Sequence, residues 1–267
     1  MKITPIALTI AGSDSGGGAG VQADIKAISA NGVYAASVIT AITAQNTQTV
    51  VAVHPVPADI VTAQIAAVLS DLNVGAIKLG VLFSAPIISV VAAGLAGYHG
   101  PVVVDPVMIA KSGDTLLQGD AVDALIRLIL PHAALLTPNL PEAAQLLEER
   151  PALTQDEVIG QGLRLLHMGP RAVLMKGGHS QGPACTDFLI EADGTVTTLT
   201  APRSKTRNTH GTGCTYSAAI AAQLAKGQTM LAAVRAAHTY LQGAIQAADT
   251  LHIGAGHGPV HHFHEVW

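Results

Sequence analysis

The chain has 267 residues, a length that suits one large α/β domain or two small ones. Apolar residues make up 49% of it and aromatic residues only 3%, so the core is large and aliphatic. The net charge of −4 gives no electrostatic footprint for nucleic acid. Two cysteines exclude a disulfide framework, and the apolar run near the N-terminus is too short for a membrane span and lacks a signal-peptide layout. We therefore expect a cytoplasmic, reducing setting.

Strand-like apolar runs alternate with helix-like runs along the chain. In chain order, the pattern predicts a strand at 6–12, a helix at 21–30, a strand at 36–45, a helix at 57–71, a strand at 75–81, a helix at 85–97, a strand at 101–107, a helix at 119–130, a strand at 133–139, helices at 141–149 and 155–167, a strand at 172–178, a hairpin at 185–200 and Ala-rich helices at 213–226 and 229–248. This alternation predicts an α/β fold with a mostly parallel sheet covered by helices on both faces. No linker or repeat divides the chain, so we expect one domain over residues 1–267.

The loops that follow the strands are the candidate sites, because ligands of such sheets bind beyond the carboxyl ends of the strands. The first loop, "AGSDSGGGAGVQAD" (11–24), lacks both the Gly-Lys-Ser/Thr ending of a P-loop and the GxGxxG pattern. Its glycines allow a close approach of backbone to ligand, or else a plain flexible turn. Asp24 lies just inside the next helix, where it either faces a ligand or favours the helix N-terminus.

Polar side chains follow the next strands. Gln45, with Asn46 beside it, offers an amide that suits the edge of a heterocyclic base, although a turn closed by side-chain hydrogen bonds is an equal alternative. Asp105 ends a buried strand, where a carboxylate needs a cation or donors; Mg²⁺ on a nucleotide and capping of a nearby helix are the alternatives. Glu142 either forms a capping box with Asn139 or reaches Mg²⁺ through water.

Two further loops favour anion binding. Lys176 ends an apolar strand and either contacts a phosphate or is solvated. In "NTHGTGCTYSAAIAA" (208–222), Gly211 and Gly213 expose backbone N–H groups at the start of a helix, which makes an anion site by geometry and by helix dipole. Cys214 lies in the same positive field, which is expected to lower its pKa, unless the residue is a buried inert cysteine. Together the loops suit phosphoryl transfer with Mg²⁺, which depends on positioning and charge neutralisation.

The same blocks, in the same order, resemble the ribokinase superfamily, and within it the hydroxymethylpyrimidine/phosphomethylpyrimidine kinases of thiamine biosynthesis. The resemblance is carried by "ALTIAGSDSGGGAGVQADIKAISANGVYAASVITAITAQNT", "IKLGVLFS", "DPVMIAKSGD", "LLTPNLPEA", "MKGGH", "NTHGTGCTYSAAIAA" and "GHGPVHHFHEVW". It implies a ribokinase-like, Rossmann-like sheet with a minimal lid. It also implies ATP and Mg²⁺ as cofactors, a small pyrimidine substrate phosphorylated in two steps, and a homodimer. Pyridoxal kinase and a non-catalytic pyrimidine-binding protein are the rival interpretations.

The resemblance also implies the role of each site residue. The substrate would contact Gln45, Gly12, Asp24, Val81 and Val107, and the metal would contact Asp105 and Glu142. The nucleotide would contact Lys176, Thr209, Gly211, Thr212 and Gly213. The catalytic residues would be Cys214, Gly211, Gly213 and Lys176. Two positions depart from wider patterns. Cys214 stands where many superfamily members carry an aspartate base, and Val81 replaces the methionine of the family's "GML" beside the substrate ring.

Overall fold

The computed structural model describes residues 4–108, 119–179 and 182–267. The strands are β1 (Ile6–Ala11), β2 (Tyr34–Ile39), β3 (Ala41–Gln45), β4 (Val50–Pro55), β5 (Ala76–Leu79), β6 (Val102–Val104), β7 (Leu135–Leu136), β8 (Ala172–Met175), β9 (Ala184–Glu191) and β10 (Val196–Pro202). The helices are α1 (Gly20–Ala30), α2 (Ala58–Asp71), α3 (Ala85–Leu95), α4 (Gly119–Ala124), α5 (Leu140–Leu147), α6 (Gln155–Leu166), α7 (Thr212–Ala225) and α8 (Met230–Gln246).

The central sheet has the strand order β10-β9-β8-β7-β6-β5-β1-β2. The six strands from β2 to β8 in this order run parallel, while β9 and β10 are antiparallel and form the predicted hairpin. The expectation of a mostly parallel sheet is therefore confirmed. The chain places β2 on one side of β1 and β5 on the other, and a crevice for ligands opens where strand order reverses in this way.

Both faces of the sheet are buried, as the aliphatic composition predicts. Leu8 and Ile10 of β1 join a core with α2 to α6, whereas Ala7 joins a second core with α1, α7 and α8. In α7, every residue from Thr215 to Leu224 is buried, and alanines predominate there. Small side chains let this helix lie close to the sheet, so its N-terminus is held at the carboxyl ends of the strands.

The predicted strand at 36–45 is two strands. At Thr40 the chain leaves the central sheet, and the Thr40 hydroxyl donates to the carbonyl of Val81 at 2.7 Å. Beyond it, β3 pairs with β4 in a separate antiparallel ribbon, which is the small lid that the resemblance implies. The apolar pattern did not predict β4, and periodicity alone cannot show where a strand changes partner.

Two other predicted elements differ in extent from the prediction. The strand predicted at 133–139 is only two residues long, because the chain turns into α5 directly afterwards. The helix predicted at 119–130 becomes a π-helical turn at Leu125–Ile129 and then a 3₁₀ turn at Leu130–His132. Residues 109–114 of the "DPVMIAKSGD" block lie outside the described residues.

The segment 256–260 returns to the carboxyl edge of the sheet. The His257 N–H donates to the carbonyl of Thr47 at 3.0 Å, in the turn between β3 and β4. The His210 N–H donates to the carbonyl of Gly258 at 3.0 Å, immediately before α7. This segment therefore joins the lid ribbon to the approach of α7. Across the described residues, no helix has the length and hydropathy to cross a bilayer.

Candidate active site

A cavity of about 620 Å³ lies at the carboxyl ends of the parallel strands, a volume typical of small-molecule sites. Its wall is built by the loops after β1, β5, β6, β7 and β8, by the lid ribbon, and by α5, α7 and α8. The predicted site residues that line it are Gly12, Gln45, Val81, Asp105, Val107, Glu142, Lys176, Thr209, Gly211, Thr212, Gly213 and Cys214. One cavity thus gathers all the predicted site residues except Asp24.

The glycine loop after β1 is a hydrogen-bonded structure. The Asp14 carboxylate accepts the N–H groups of Gly16 at 2.8 Å, Gly18 at 3.1 Å and Ala19 at 2.8 Å. The ring of His210 lies 2.7 Å from the same carboxylate. Burial alone raises the pKa of Asp14, but hydrogen bonding and attraction from His210 lower it below its ordinary value. The loop is thereby fastened to the start of α7.

The N-terminus of α7 presents free backbone donors to the cavity. Gly211 caps the helix with φ 76°, a left-handed conformation that suits glycine, and a Cβ there would overlap the carbonyl oxygen of Gly18. Within the described ranges, no protein acceptor takes the N–H groups of Gly211, Gly213 and Cys214. These three donors and the positive end of the helix dipole form an anion cradle.

Lys176 lies beside the cradle between two carboxylates. Its Nζ donates to Asp105 Oδ1 at 2.8 Å and is 3.8 Å from Glu142 Oε2. Burial by itself lowers the pKa of Lys176, but the two carboxylates raise it above the ordinary value, so the lysine is charged. The Thr137 hydroxyl donates to the same Asp105 oxygen at 3.2 Å. Lys176 is therefore paired, not merely solvated, and its ammonium borders the cradle.

Glu142 forms the capping box that the sequence suggested. It accepts the N–H of Asn139 at 2.7 Å, and its own N–H donates to the Asn139 side chain at 2.8 Å. The carboxylate also lines the cavity. Burial raises its pKa to about 7, and the nearby Asp105 adds to the shift while Lys176 opposes it. Capping and a place in the cavity are thus compatible for this residue.

Asp105 and Glu142 are the candidate metal ligands, one on each side of the Lys176 ammonium. Among the described residues, no group of three or more His, Cys, Asp or Glu side chains could hold a metal ion alone. Two carboxylates fit Mg²⁺, which binds through one or two carboxylates together with phosphates and water. They do not fit a metal that requires a full set of protein ligands.

The Cys214 thiol is not acidified by the helix terminus as expected. Lys78 attracts the thiolate, and the nearby N–H of Gly20 also favours it. Burial nevertheless outweighs both and raises the pKa of the Cys214 thiol to about 11. The expectation of a lowered pKa is wrong, because the sulfur loses more hydration than the helix terminus and the lysine restore. The thiol is protonated near neutral pH.

Gln45 and Asn46 have separate tasks. The Asn46 side chain closes the turn after β3, since its oxygen accepts the N–H groups of Gln48 at 2.8 Å and Thr49 at 3.1 Å. Gln45 lines the cavity instead, and its side-chain oxygen accepts the Thr43 hydroxyl at 3.3 Å. Its amide nitrogen has no protein acceptor among the described residues, so it is available to a ligand.

Apolar side chains form part of the same cavity wall as Gln45. They include Val53, Val81, Phe83, Val107 and Met108. An apolar slot with one amide at its edge suits a flat heteroaromatic ring.

Asp24 does not face the cavity. Its side chain has no exposure, and both oxygens accept hydrogen bonds from Lys78 Nζ, at 2.9 and 2.8 Å. The expectation that Asp24 contacts the substrate is wrong, because its position on α1 directs it at the sheet and not at the cavity. Sequence reasoning missed Lys78, although a lysine inside the apolar run "AIKLG" is an unusual signal.

The far end of the cavity was not predicted. It includes Leu241, Gln242 and Ile245 of α8 together with Cys185 and Asp187 of β9. No local motif marks these residues, since α8 reaches the cavity through its packing against α7.

This fold and this site define a ribokinase-like phosphotransferase. The family model for phosphomethylpyrimidine kinase matches residues 14–261, and the chain belongs to that family. A hydroxymethylpyrimidine/phosphomethylpyrimidine kinase of Rhizobium meliloti is 56% identical over 99% of each chain.

Two further similarities extend the comparison. A thiamine biosynthesis multifunctional protein of Corynebacterium glutamicum is 44% identical over 97% of this chain and 34% of its own length. The structure of an ADP complex of Bacillus subtilis pyridoxal kinase has a TM-score of 0.89 at 33% identity and covers 97% of this chain and 98% of that one. The predicted family and fold class are confirmed.

Proposed function

We propose that this chain uses ATP to phosphorylate the alcohol of 4-amino-5-hydroxymethyl-2-methylpyrimidine, and then the resulting monophosphate, in cytoplasmic thiamine biosynthesis. One observation carries the proposal: a single cavity is lined by the Gln45 amide, by apolar side chains and by the anion cradle with Lys176. The names of the Rhizobium and Corynebacterium relatives support the same substrate and pathway. We further propose that residues 1–267 form one kinase domain, since the central sheet takes its strands from β1 through to β10.

The proposed chemistry assigns each group a task. Gln45 orients the pyrimidine edge, while Gly12, Val81 and Val107 shape the slot around the ring. The N–H groups of Gly211, Gly213 and Cys214, with Thr209 and Thr212 next to them, hold the oxygens of the transferring phosphoryl group. Lys176 neutralises the charge that develops on those oxygens.

Asp105 and Glu142 would hold Mg²⁺, and the bound ion would neutralise phosphate charge. The Glu142 carboxyl has a pKa of about 7, so binding of a cation there favours its ionised form. The Cys214 thiol is protonated in the free protein. We propose that it only orients the substrate hydroxyl, and that the hydroxyl proton leaves late, to a phosphoryl oxygen or to water, when the hydroxyl oxygen is already bonding to phosphorus.

A coupled ADP assay across a panel of vitamin precursors tests the proposal. We expect ADP production that requires both the pyrimidine and Mg²⁺, and that stops when the metal is chelated. Tight pyrimidine binding without turnover would instead indicate a non-catalytic binding protein.

Pyridoxal kinase is the second candidate, favoured by the similarity to the Bacillus subtilis pyridoxal kinase. Both substrates are small heteroaromatic rings with a hydroxymethyl arm. A side-by-side measurement of kcat/KM decides between them, and an advantage of more than about tenfold for pyridoxal would overturn the pyrimidine assignment. Sedimentation of the purified protein tests the expected homodimer.

A further inference from the structure

A fully buried ion pair lies behind the cavity wall. Lys78 of β5 and Asp24 of α1 have no exposed side-chain surface, and their charged atoms are 2.8 Å apart. The hydroxyl of Thr9, the neighbour of Lys78 across the β1–β5 pairing, donates to Asp24 at 2.6 Å. The pair therefore ties α1 to β1 and β5 near the point where the strand order reverses.

The start of α1 connects this pair to the anion cradle. Asp24 lies one helical turn after Gly20, and Gly20 and Cys214 line the same cavity, with the Gly20 N–H acting on the Cys214 sulfur. The carbonyl of Gly18, just before α1, lies directly against Gly211 of the cradle. The N–H of Val21 donates to the carbonyl of Gly12 at 3.0 Å, at the cavity wall. Any shift of α1 along the sheet would move the N–H that acts on Cys214.

The charged groups that act on the Cys214 sulfur include Lys78 from β5, Asp24 from α1, Asp105 after β6 and Lys176 after β8. The attraction from Lys78 is larger than the repulsion from Asp24 or from Asp105. Burial by itself lowers the pKa of Lys78, but Asp24 raises it above its ordinary value, so the lysine carries its charge. The pair thus places a positive group behind the thiol.

Fold stability alone does not require these charges. Taking two ions out of water is costly, and a buried pair can often be replaced by apolar residues of similar volume without loss of stability. Removal of one partner is different, because it leaves a buried charge unpaired. A double substitution therefore removes the charges while leaving the packing largely intact.

We propose that Lys78 and Asp24 are positioning residues for phosphoryl transfer, which hold the start of α1 against Cys214 and keep a positive charge behind its sulfur. The inference rests on the proposed kinase function. Neither residue lines the cavity, so both act through the Gly20–Cys214 contact and through the electrostatic field. Their loss lowers the rate of transfer and leaves substrate affinity nearly unchanged.

The test compares Asp24→Leu/Lys78→Met with the wild type in the coupled ADP assay. Active sites are counted by calorimetric titration with ADP, so that kcat refers to folded protein only. We expect kcat to fall at least tenfold while KM for the hydroxymethyl substrate changes by less than about threefold. A folded double variant with kcat within threefold of the wild type overturns the proposal.

The matched control is Glu149→Leu/Arg164→Met, which removes a 2.8 Å ion pair that lies outside the cavity and is partly exposed. This control is expected to keep the wild-type kcat. If the buried double variant does not bind ADP, Lys78→Arg is compared with Lys78→Gln. The charged variant should keep at least tenfold more kcat, and equal rates overturn the proposal.

All variants are assayed with whichever hydroxymethyl substrate the wild type prefers. Failure of the proposed function then appears in the wild type, as absent pyrimidine turnover. Failure of the positioning role appears only in the double variant.

Discussion

Replacement of Gly213 by alanine should separate phosphate binding from folding stability. Gly213 lies in the first turn of α7 and has no positive φ, so the backbone accepts alanine. An added Cβ would lie 3.3 Å from Lys176 Nζ and 3.4 Å from Asp105 Oδ2. The methyl group would therefore crowd the ion pair where a phosphate must approach.

The two effects of this substitution have opposite signs. Alanine favours helix over glycine by up to about 1 kcal/mol, so the free energy of unfolding should be unchanged or rise by up to that amount. Displacing one preorganised donor typically costs roughly 3–4 kcal/mol in the transition state. We therefore expect kcat to fall by roughly 150- to 900-fold, measured in the coupled ADP assay beside urea unfolding.

Gly160→Ala in α6 is the control for this experiment. The nearest atom to its added Cβ is Nη1 of Arg164, at 3.5 Å, and the residue does not line the cavity. It should show a similar or larger gain in stability with the wild-type kcat. A Gly213→Ala protein with kcat within threefold of the wild type would refute the assignment of the cradle to the transferring phosphoryl group.

Three further predictions follow from single side chains. Gln45→Ala should weaken pyrimidine binding by about 1–3 kcal/mol in calorimetry. Equal affinity in the variant and the wild type would show that Gln45 does not contact the pyrimidine. Cys214→Ser should keep substrate binding but lower kcat, whereas an unchanged kcat would show that the thiol is not needed to orient the substrate hydroxyl. Burial lowers the pKa of His262 to about 3, from 6.5 in the unfolded chain. The unfolded chain therefore binds the proton more readily, and stability is lost as the pH falls below 6.5. Between pH 7 and pH 5, the free energy of unfolding measured with urea should fall by about 2 kcal/mol less in His262→Gln than in the wild type. An equal fall in both proteins would exclude His262 as its source.

The sequence predicted the parallel sheet well because its signals are local and repeated. Each buried strand is an apolar run followed by a polar or glycine-rich loop, as at β6 with Asp105 and at β8 with Lys176. The carboxyl ends of parallel strands meet at one edge, so polar residues far apart in the chain converge there. This is why most of the predicted site residues line one cavity.

The errors arise where three-dimensional packing decides the outcome. Asp24 is polar and near a glycine loop, yet only the position of Lys78 on a neighbouring strand shows that it is directed inward. The pKa of Cys214 depends both on the burial of its thiol and on its place at the start of a helix. The sequence indicates the place in the helix but not the burial. The α8 wall of the cavity has no motif, because Leu241 and Gln242 acquire their role from helix docking.

The contacts around the cavity couple the earliest and latest parts of the polypeptide. Asp14, near the beginning, holds His210, whose backbone in turn binds Gly258. During translation, the loop after β1 can form its own hydrogen bonds early, but its contact with His210 must wait until residue 210 emerges from the ribosome. The part of the cavity wall that α7 and α8 contribute is therefore added late in synthesis.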